Sequence, residues 1–247
     1  MKKFTIFLFS LFTTFGLMAQ LQIKAPSHSF PVISGQSNRS ITLYDQLQVP
    51  TNGTASQVFP DYSNCVLQTA DDFIVPAGGW TITNIDATGS WGAGSPQPYL
   101  FTVVFYADAG GIPGAAVDSV INNAYVDNGG VESITLNSSV ILPAGHYWIS
   151  VMIDMPSNSG GQWFWAALSG APAINDFSVF RDPCNLVGIS SSWTPASSIN
   201  SQYTQCSFAL YGTTGTQSVP VSNWAIILGI FLMILFMAIH YRRRRLA

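Results

Sequence analysis

The chain has 247 residues, 48% of them hydrophobic and 9% charged, with a formal net charge of −3. That charged fraction lies far below the roughly 25% of an ordinary soluble domain, which excludes a highly charged disordered chain. It also argues against a nucleic-acid partner, which requires a basic face.

Charge sign is segregated along the chain. Lys2 and Lys3 open it, Arg242, Arg243, Arg244 and Arg245 nearly close it, and only Lys24, Arg39 and Arg181 lie between. All twelve acids, eleven Asp and Glu132, fall from Asp45 to Asp182. Three basic residues against twelve acidic ones give the segment between the two ends a net charge of −9.

Residues 1–19 read as a secretory signal peptide. Lys2 and Lys3 precede an apolar run from Phe4 to Met18, and the small residue Ala19 follows. Such a run is too short to span a bilayer comfortably, and cleavage after Ala19 leaves Gln20 as the mature N-terminus. Residues 20–60 are expected to form a partly ordered N-terminal extension.

The main domain is placed at 61–212. It has no helical periodicity, and short segments rich in β-branched and aromatic residues recur between turns containing Gly, Pro and Asn. Strands are predicted at 72–76, 80–85, 99–106, 117–125, 131–136, 146–153, 162–168, 177–180 and 207–211. Within the sixth, alternation puts Tyr147, Ile149, Val151 and Ile153 on one face. Turns every ten to fifteen residues, with no crossover helices, predict an all-β, antiparallel β-sandwich or jelly roll. The segment resembles a recurring bacterial surface module. The likeness is carried by Ala-Asp-Asp-Phe-x-Val-Pro at 70–76, Phe-Tyr-Ala-Asp-x-Gly-Gly-x-Pro-Gly at 105–114, Leu-Pro-Ala-Gly-x-Tyr-Trp at 142–148, the aromatic strand at 163–165 and Phe-Ala-Leu-Tyr-Gly at 208–212. These motifs specify turns and strand entries, and the likeness implies fold and surface location without an active site.

A linker occupies 213–223, and residues 224–241 are predicted to form a transmembrane helix. From Trp224 to Ile239 there is no charge or strongly polar group. Sixteen helical residues cover about 24 Å of the ~30 Å hydrocarbon core. Trp224 and Tyr241 stand at the interfaces, and the basic tail 242–247, with Arg242, Arg243, Arg244 and Arg245, stops transfer and stays cytoplasmic. Before the helix stands Val219, Pro220, Val221, Ser222, Asn223 and Trp224. This arrangement resembles the C-terminal sorting signals of the PEP-CTERM group, especially the IPTL-CTERM-like variants. The resemblance implies recognition by an exosortase-type transpeptidase, removal of the tail, and transfer of an inner-membrane-anchored precursor to the cell surface or outside.

Cys65, Cys184 and Cys206 are too few for a zinc ribbon. In an oxidising compartment Cys184–Cys206 is the first expectation, with Cys65 left over; Cys65–Cys184 is its main competitor, and geometry decides between them.

No catalytic constellation is evident. His28 lies in the N-terminal tail, His240 sits at the membrane boundary, and His146 reads as a structural or solvated residue opening a strand. Asp71 and Asp72 cannot readily share a site, because neighbours on a strand point to opposite faces; they read as a polar strand entry with one solvent-facing acid. Asp108, Asp118, Asp127, Asp176 and Asp182 lie in or near predicted turns, where they offer oxygen ligands to calcium. No Asp-x-Asp-x-Asp-Gly sequence concentrates them, so no metal site or cofactor is assigned. Trp91, in a loop at 89–94, together with Trp193, Trp163 and Trp165, are the candidate ligand-contacting aromatics for a surface polysaccharide.

These features point to a non-enzymatic, exported β-sandwich protein serving adhesion, matrix formation or ligand display. A carbohydrate-binding module is the alternative, and a secreted hydrolase with paired carboxylates the second alternative.

Overall fold

A computed structural model describes residues 41–48, 52–92, 98–158, 161–169 and 176–215, together with Phe231, Leu232 and Phe236. The signal peptide at 1–19, the sorting residues Val219 to Trp224 and the arginines 242–245 lie outside the described residues. The chain divides into a unit ending at Gly215 and a second from Thr216 to Ala247. Of the second, Phe231, Leu232 and Phe236 are helical and exposed. Among the described residues no helix is long and apolar enough to cross a membrane.

The first unit is all-β. Its strands are β1 (Ile41–Asp45), β2 (Asn52–Ala55), β3 (Gln57–Phe59), β4 (Cys65–Val75), β5 (Trp80–Trp91), β6 (Leu100–Asp108), β7 (Pro113–Asn123) and β8 (Tyr125–Asp127). There follow β9 (Val131–Leu142), β10 (Gly145–Asp154), β11 (Trp163–Leu168), β12 (Val179–Arg181), β13 (Thr194–Pro195), β14 (Gln205–Cys206) and β15 (Phe208–Thr214). One sheet of eight strands runs β1-β15-β5-β11-β14, with β2 beside β11, β9 beside β5 and β8 beside β9. The other, of seven, runs β13-β12-β4-β3-β10-β6-β7, and β4 also pairs with β10.

The pairing is antiparallel except for a short parallel contact of β3 with β10, where Gln57 lies opposite Ile153. Residues 41–59 therefore supply three strands, so the sheets begin well before residue 61. Their weak alternation hides them: Asn52–Ala55 and Gln57–Phe59 are too short to show a period and pair only because β11 and β4 lie alongside.

The sheets bury a shared core. Tyr147, Ile149, Val151 and Ile153 all point into it, as their alternation predicts, beside Phe73, Phe101 and Phe105. The eight-stranded sheet contributes Trp80, Ile82, Ile85, Ile134, Phe208 and Leu210. Each such side chain is worth about 1.5–3 kcal/mol of burial. The intervening β10 residues, Trp148 and Met152, face the other way and join a second apolar cluster with Ala70, Val104, Tyr106 and Val179. The seven-stranded sheet is thus covered on its outer face as well.

The disulfide is Cys65–Cys184, with Cα atoms 5.8 Å apart, and Cys206 is a free, buried thiol. This corrects the expected Cys184–Cys206 pair. The cause is register: β12 runs antiparallel to β4 with Arg181 opposite Gln68, and three further residues along each chain bring Cys184 to Cys65. Cys206 belongs to the opposite sheet and lies in the main core.

Candidate functional site

The outer face of the seven-stranded sheet gathers polar groups from strand ends that are far apart in sequence. On β4, Asp72 alternates outward between Asp71 and Phe73. Its neighbour across the ladder is Trp148 of β10, and Trp148 in turn lies opposite Tyr106 of β6. One ladder step further, His146 pairs with Ile74 of β4, while Tyr147 lies opposite Ala107. This brings His146 diagonal to Asp72 and beside Asp108 at the end of β6.

The distances follow from this register. His146 Nε2 lies 2.7 Å from Asp72 Oδ2 and 3.9 Å from Asp176 Oδ2, and its Nδ1 lies 3.7 Å from Asp108 Oδ1. Only the first is a hydrogen bond; the others are too long for one. Asp176 arrives just ahead of β12. A Cβ placed on Gly111, in the β6–β7 turn, would come within 3.1 Å of its Oδ1. That turn uses Gly110 and Gly111 at φ +78° and +87°, which glycine adopts at low cost.

The carboxylates differ in setting. Asp108 accepts the Trp148 Nε1–H at 2.9 Å and the backbone N–H groups of Gly110 and Gly111 at 3.0 Å each. Partial burial pushes its pKa up, but these donors outweigh that and hold it below the usual carboxylate range. Asp72 is 1% exposed, and its Oδ1 has no hydrogen-bond partner. Burial raises its carboxyl against the opposing pull of His146, and the nearby Asp176 raises it further. Asp72, His146 and Asp176 each offer one metal-ligating atom, all within 4.8 Å of one another.

No family model, curated protein or solved structure matches the chain. The site's chemistry therefore rests on its own geometry.

The aromatic residues singled out from the sequence do not form a platform. Trp163 and Trp165 share a face, as their spacing predicts, but that face is the core, where both are fully buried. Trp163 packs edge-on against Phe101 and Trp165 against Phe208. Both are removed as ligand contacts because β11 is an inner strand flanked by β5 and β2. Trp91 is the last residue of β5, not part of a loop, and it stacks half-buried on Tyr125. Trp193 is half-buried on the outer face, 5.8 Å from Tyr106, with the Arg181 guanidinium 4.3 Å over its ring. Arg181 Nε also donates to Gln68 Oε1 at 2.8 Å.

The other turn acids are dispersed. Asp182 is buried and accepts the backbone N–H groups of Leu186 and Val187, which holds the loop carrying Cys184. Asp127 accepts Gly130 N–H at 2.7 Å, and Asp118 accepts Ser119 N–H at 2.7 Å. Asp127 closes its own turn, whereas Asp118 lies within β7, opposite Phe105, which corrects its expected place in a turn. Asp71 and Asp72 do face opposite ways, but both are buried, which corrects the expectation of one solvent-facing acid.

Two groups escape sequence reasoning. His146 reads as solitary because its three acidic neighbours come from β4, from the end of β6 and from the approach to β12. Glu132 is the chain's single glutamate, fully buried, with its Oε1 accepting the Trp163 Nε1–H at 3.2 Å. Burial pushes its pKa up to about 8, with Asp127 adding to the rise. Its one signal in the sequence is its position at the start of a strand, where an outward-facing acid is the ordinary reading.

Proposed function

We propose that this chain is an exported, non-enzymatic β-sandwich protein of the bacterial cell surface, serving adhesion, matrix formation or ligand display. The observation that carries this reading is the Cys65–Cys184 disulfide, which joins the start of β4 to the loop after β12 across 119 residues. Disulfides of this kind persist in oxidising, extracytoplasmic environments and are rare where thiol reductants are maintained. The sandwich itself supports the same reading. Among the described residues Arg181 is the single Lys or Arg against twelve acids, and the acids that are not buried leave an anionic surface suited to staying soluble outside the cell.

Export begins with the signal peptide at 1–19. The sorting residues Val219 to Trp224, the apolar helix and the arginines 242–245 then present the precursor to an exosortase-type transpeptidase. Pro220 suits that role because it holds the backbone extended for a protease cleft.

Producing cells treated with a membrane-impermeant alkylating reagent, followed by intact-mass analysis, test the proposal. The expected species begins at Gln20, lacks Arg242 to Arg245, and carries Cys65 and Cys184 unlabelled until it is reduced. A surface species that retains the arginine tail overturns the sorting step. A cytoplasmic species with three reduced thiols overturns export.

A further inference from the structure

We propose that Asp72, His146 and Asp176 form a binding site for a divalent transition-metal ion of the zinc class on the outer face of the seven-stranded sheet. This stands independently of the export reading.

The first argument is spacing. Ligand atoms held about 2.1 Å from a tetrahedral zinc ion lie roughly 3.4 Å apart. The separations of 2.7 Å between Asp72 Oδ2 and His146 Nε2, and 3.9 Å between His146 Nε2 and Asp176 Oδ2, bracket that value. The three ligand atoms all lie within 4.8 Å of one another, with Asp176 partly exposed.

A second argument is the unsatisfied oxygen. Asp72 is 1% exposed, and its Oδ1 has no hydrogen-bond partner although Oδ2 is engaged by His146. A buried carboxylate oxygen left in this state is destabilising, and a cation at the same carboxylate relieves it.

Charge balance points the same way. Three carboxylates, Asp72, Asp108 and Asp176, surround one imidazole. Arg181, the single Lys or Arg among the described residues, is engaged with Gln68, Tyr106 and Trp193 instead. A divalent ion supplies the missing positive charge.

The fourth argument concerns the ring's other nitrogen. Histidines that bind metal through one nitrogen usually present the other N–H to a carboxylate, which fixes the tautomer. His146 Nδ1 faces Asp108 Oδ1 at 3.7 Å, and Asp108 is itself pinned by Trp148, Gly110 and Gly111. The 3.7 Å contact is beyond hydrogen-bond distance, but it places Nδ1 on the Asp108 side and leaves Nε2, on the side of Asp72 and Asp176, as the nitrogen positioned to bind the ion.

Ligand type selects the ion. An imidazole nitrogen suits zinc and its first-row neighbours, whereas calcium and magnesium take oxygen ligands. Three protein ligands leave a fourth position for water or for an oxygen of an external ligand. The ion would also tie Asp176 to β4 and β10, towards the opposite end of the β4–β12 pair from the disulfide.

The test is calorimetric titration of zinc chloride into the full chain, purified in detergent and stripped with a chelator. One equivalent is expected to bind and to raise the melting temperature. Asp176→Asn and His146→Ala are each expected to weaken that equivalent at least about tenfold, and Asp108→Asn to weaken it less. Asp176 is half-exposed and outside the core clusters, so its variant reports on binding even if the His146 variant loses stability. Absence of zinc binding by the parent chain overturns the proposal and leaves an ion-paired histidine. Binding that is unchanged in both variants overturns it too, as does uptake of calcium in preference to zinc.

Discussion

Asp71 and Asp72 are consecutive in β4, yet their carboxylates serve opposite faces of the sheet. Asp71 Oδ2 accepts the Cys206 backbone N–H at 2.6 Å and the Gln46 Nε2–H at 2.7 Å, linking the two sheets from within. Asp72 Oδ2 meets His146 at 2.7 Å on the outside. The strand's period of two makes one acid a structural pin and its neighbour part of the candidate site.

Replacing the inner acid tests the pin. Asp71→Ala leaves the buried Cys206 N–H without its acceptor and the Gln46 amide with only the Cys206 carbonyl, at a cost of about 1–3 kcal/mol. Asp71→Asn keeps an acceptor oxygen and should cost less. Urea denaturation distinguishes them; equal midpoints for the parent and both variants would show that Asp71 holds nothing.

Glu132 gives a stability that depends on pH. Its folded-state pKa is raised from 4.5 to about 8, so between those values the unfolded chain ionises while the folded chain keeps its proton. The stability it contributes is complete below pH 4.5, declines as pH rises towards 8, and is lost above that. A shift of this size corresponds to on the order of 5 kcal/mol. Asp71, also raised by burial, acts with the same sign, so the comparison of interest is with Glu132→Gln. That variant should lose less stability between pH 5 and 8 than the parent in denaturation experiments. Parallel pH profiles would contradict the assignment.

The disulfide closes a loop of over one hundred residues, for which the expected contribution is on the order of 4 kcal/mol. Cys65→Ser and Cys184→Ser should lower the denaturation midpoint by similar amounts, because either removes the same bond. Cys206→Ala should leave that bond intact. Non-reducing peptide mapping that finds Cys206 in a crosslink would refute this pairing.

Gly89 is required by a close approach. A Cβ there would sit 2.4 Å from the Trp163 indole, which is fully buried against Phe101. Gly89→Ala forces the ring to move and should cost about 1–3 kcal/mol. The loss should appear as a lower melting temperature and an altered Trp163 fluorescence environment. An unchanged melting temperature would mean that the β5–β11 contact is looser than described.

Much of the fold was legible locally. Each of the nine expected strands overlaps an observed one, because alternation and turn residues act over a few neighbours, although 72–76 covers only the end of β4, 117–125 runs past the end of β7 into β8, and 177–180 shares only Val179 and Phe180 with β12. The Gly78–Gly79 turn is one example: both residues take positive φ, and Gly79 N–H closes onto Pro76 O at 3.1 Å. The candidate site was not legible. His146, Asp72 and Asp176 are separated by 74 and 30 positions, and no local rule joins them.

From the sequence alone follow the β class, the inward face of β10 and the separation of an acidic body from two cationic, apolar ends. Each depends on nearest-neighbour sterics or on composition. The disulfide partner, the burial of Trp163 and Trp165, and the meeting of His146 with its acids were decided only in the tertiary structure. They depend on which strands pair and in what register, and a shift of one residue would turn every side chain to the other face.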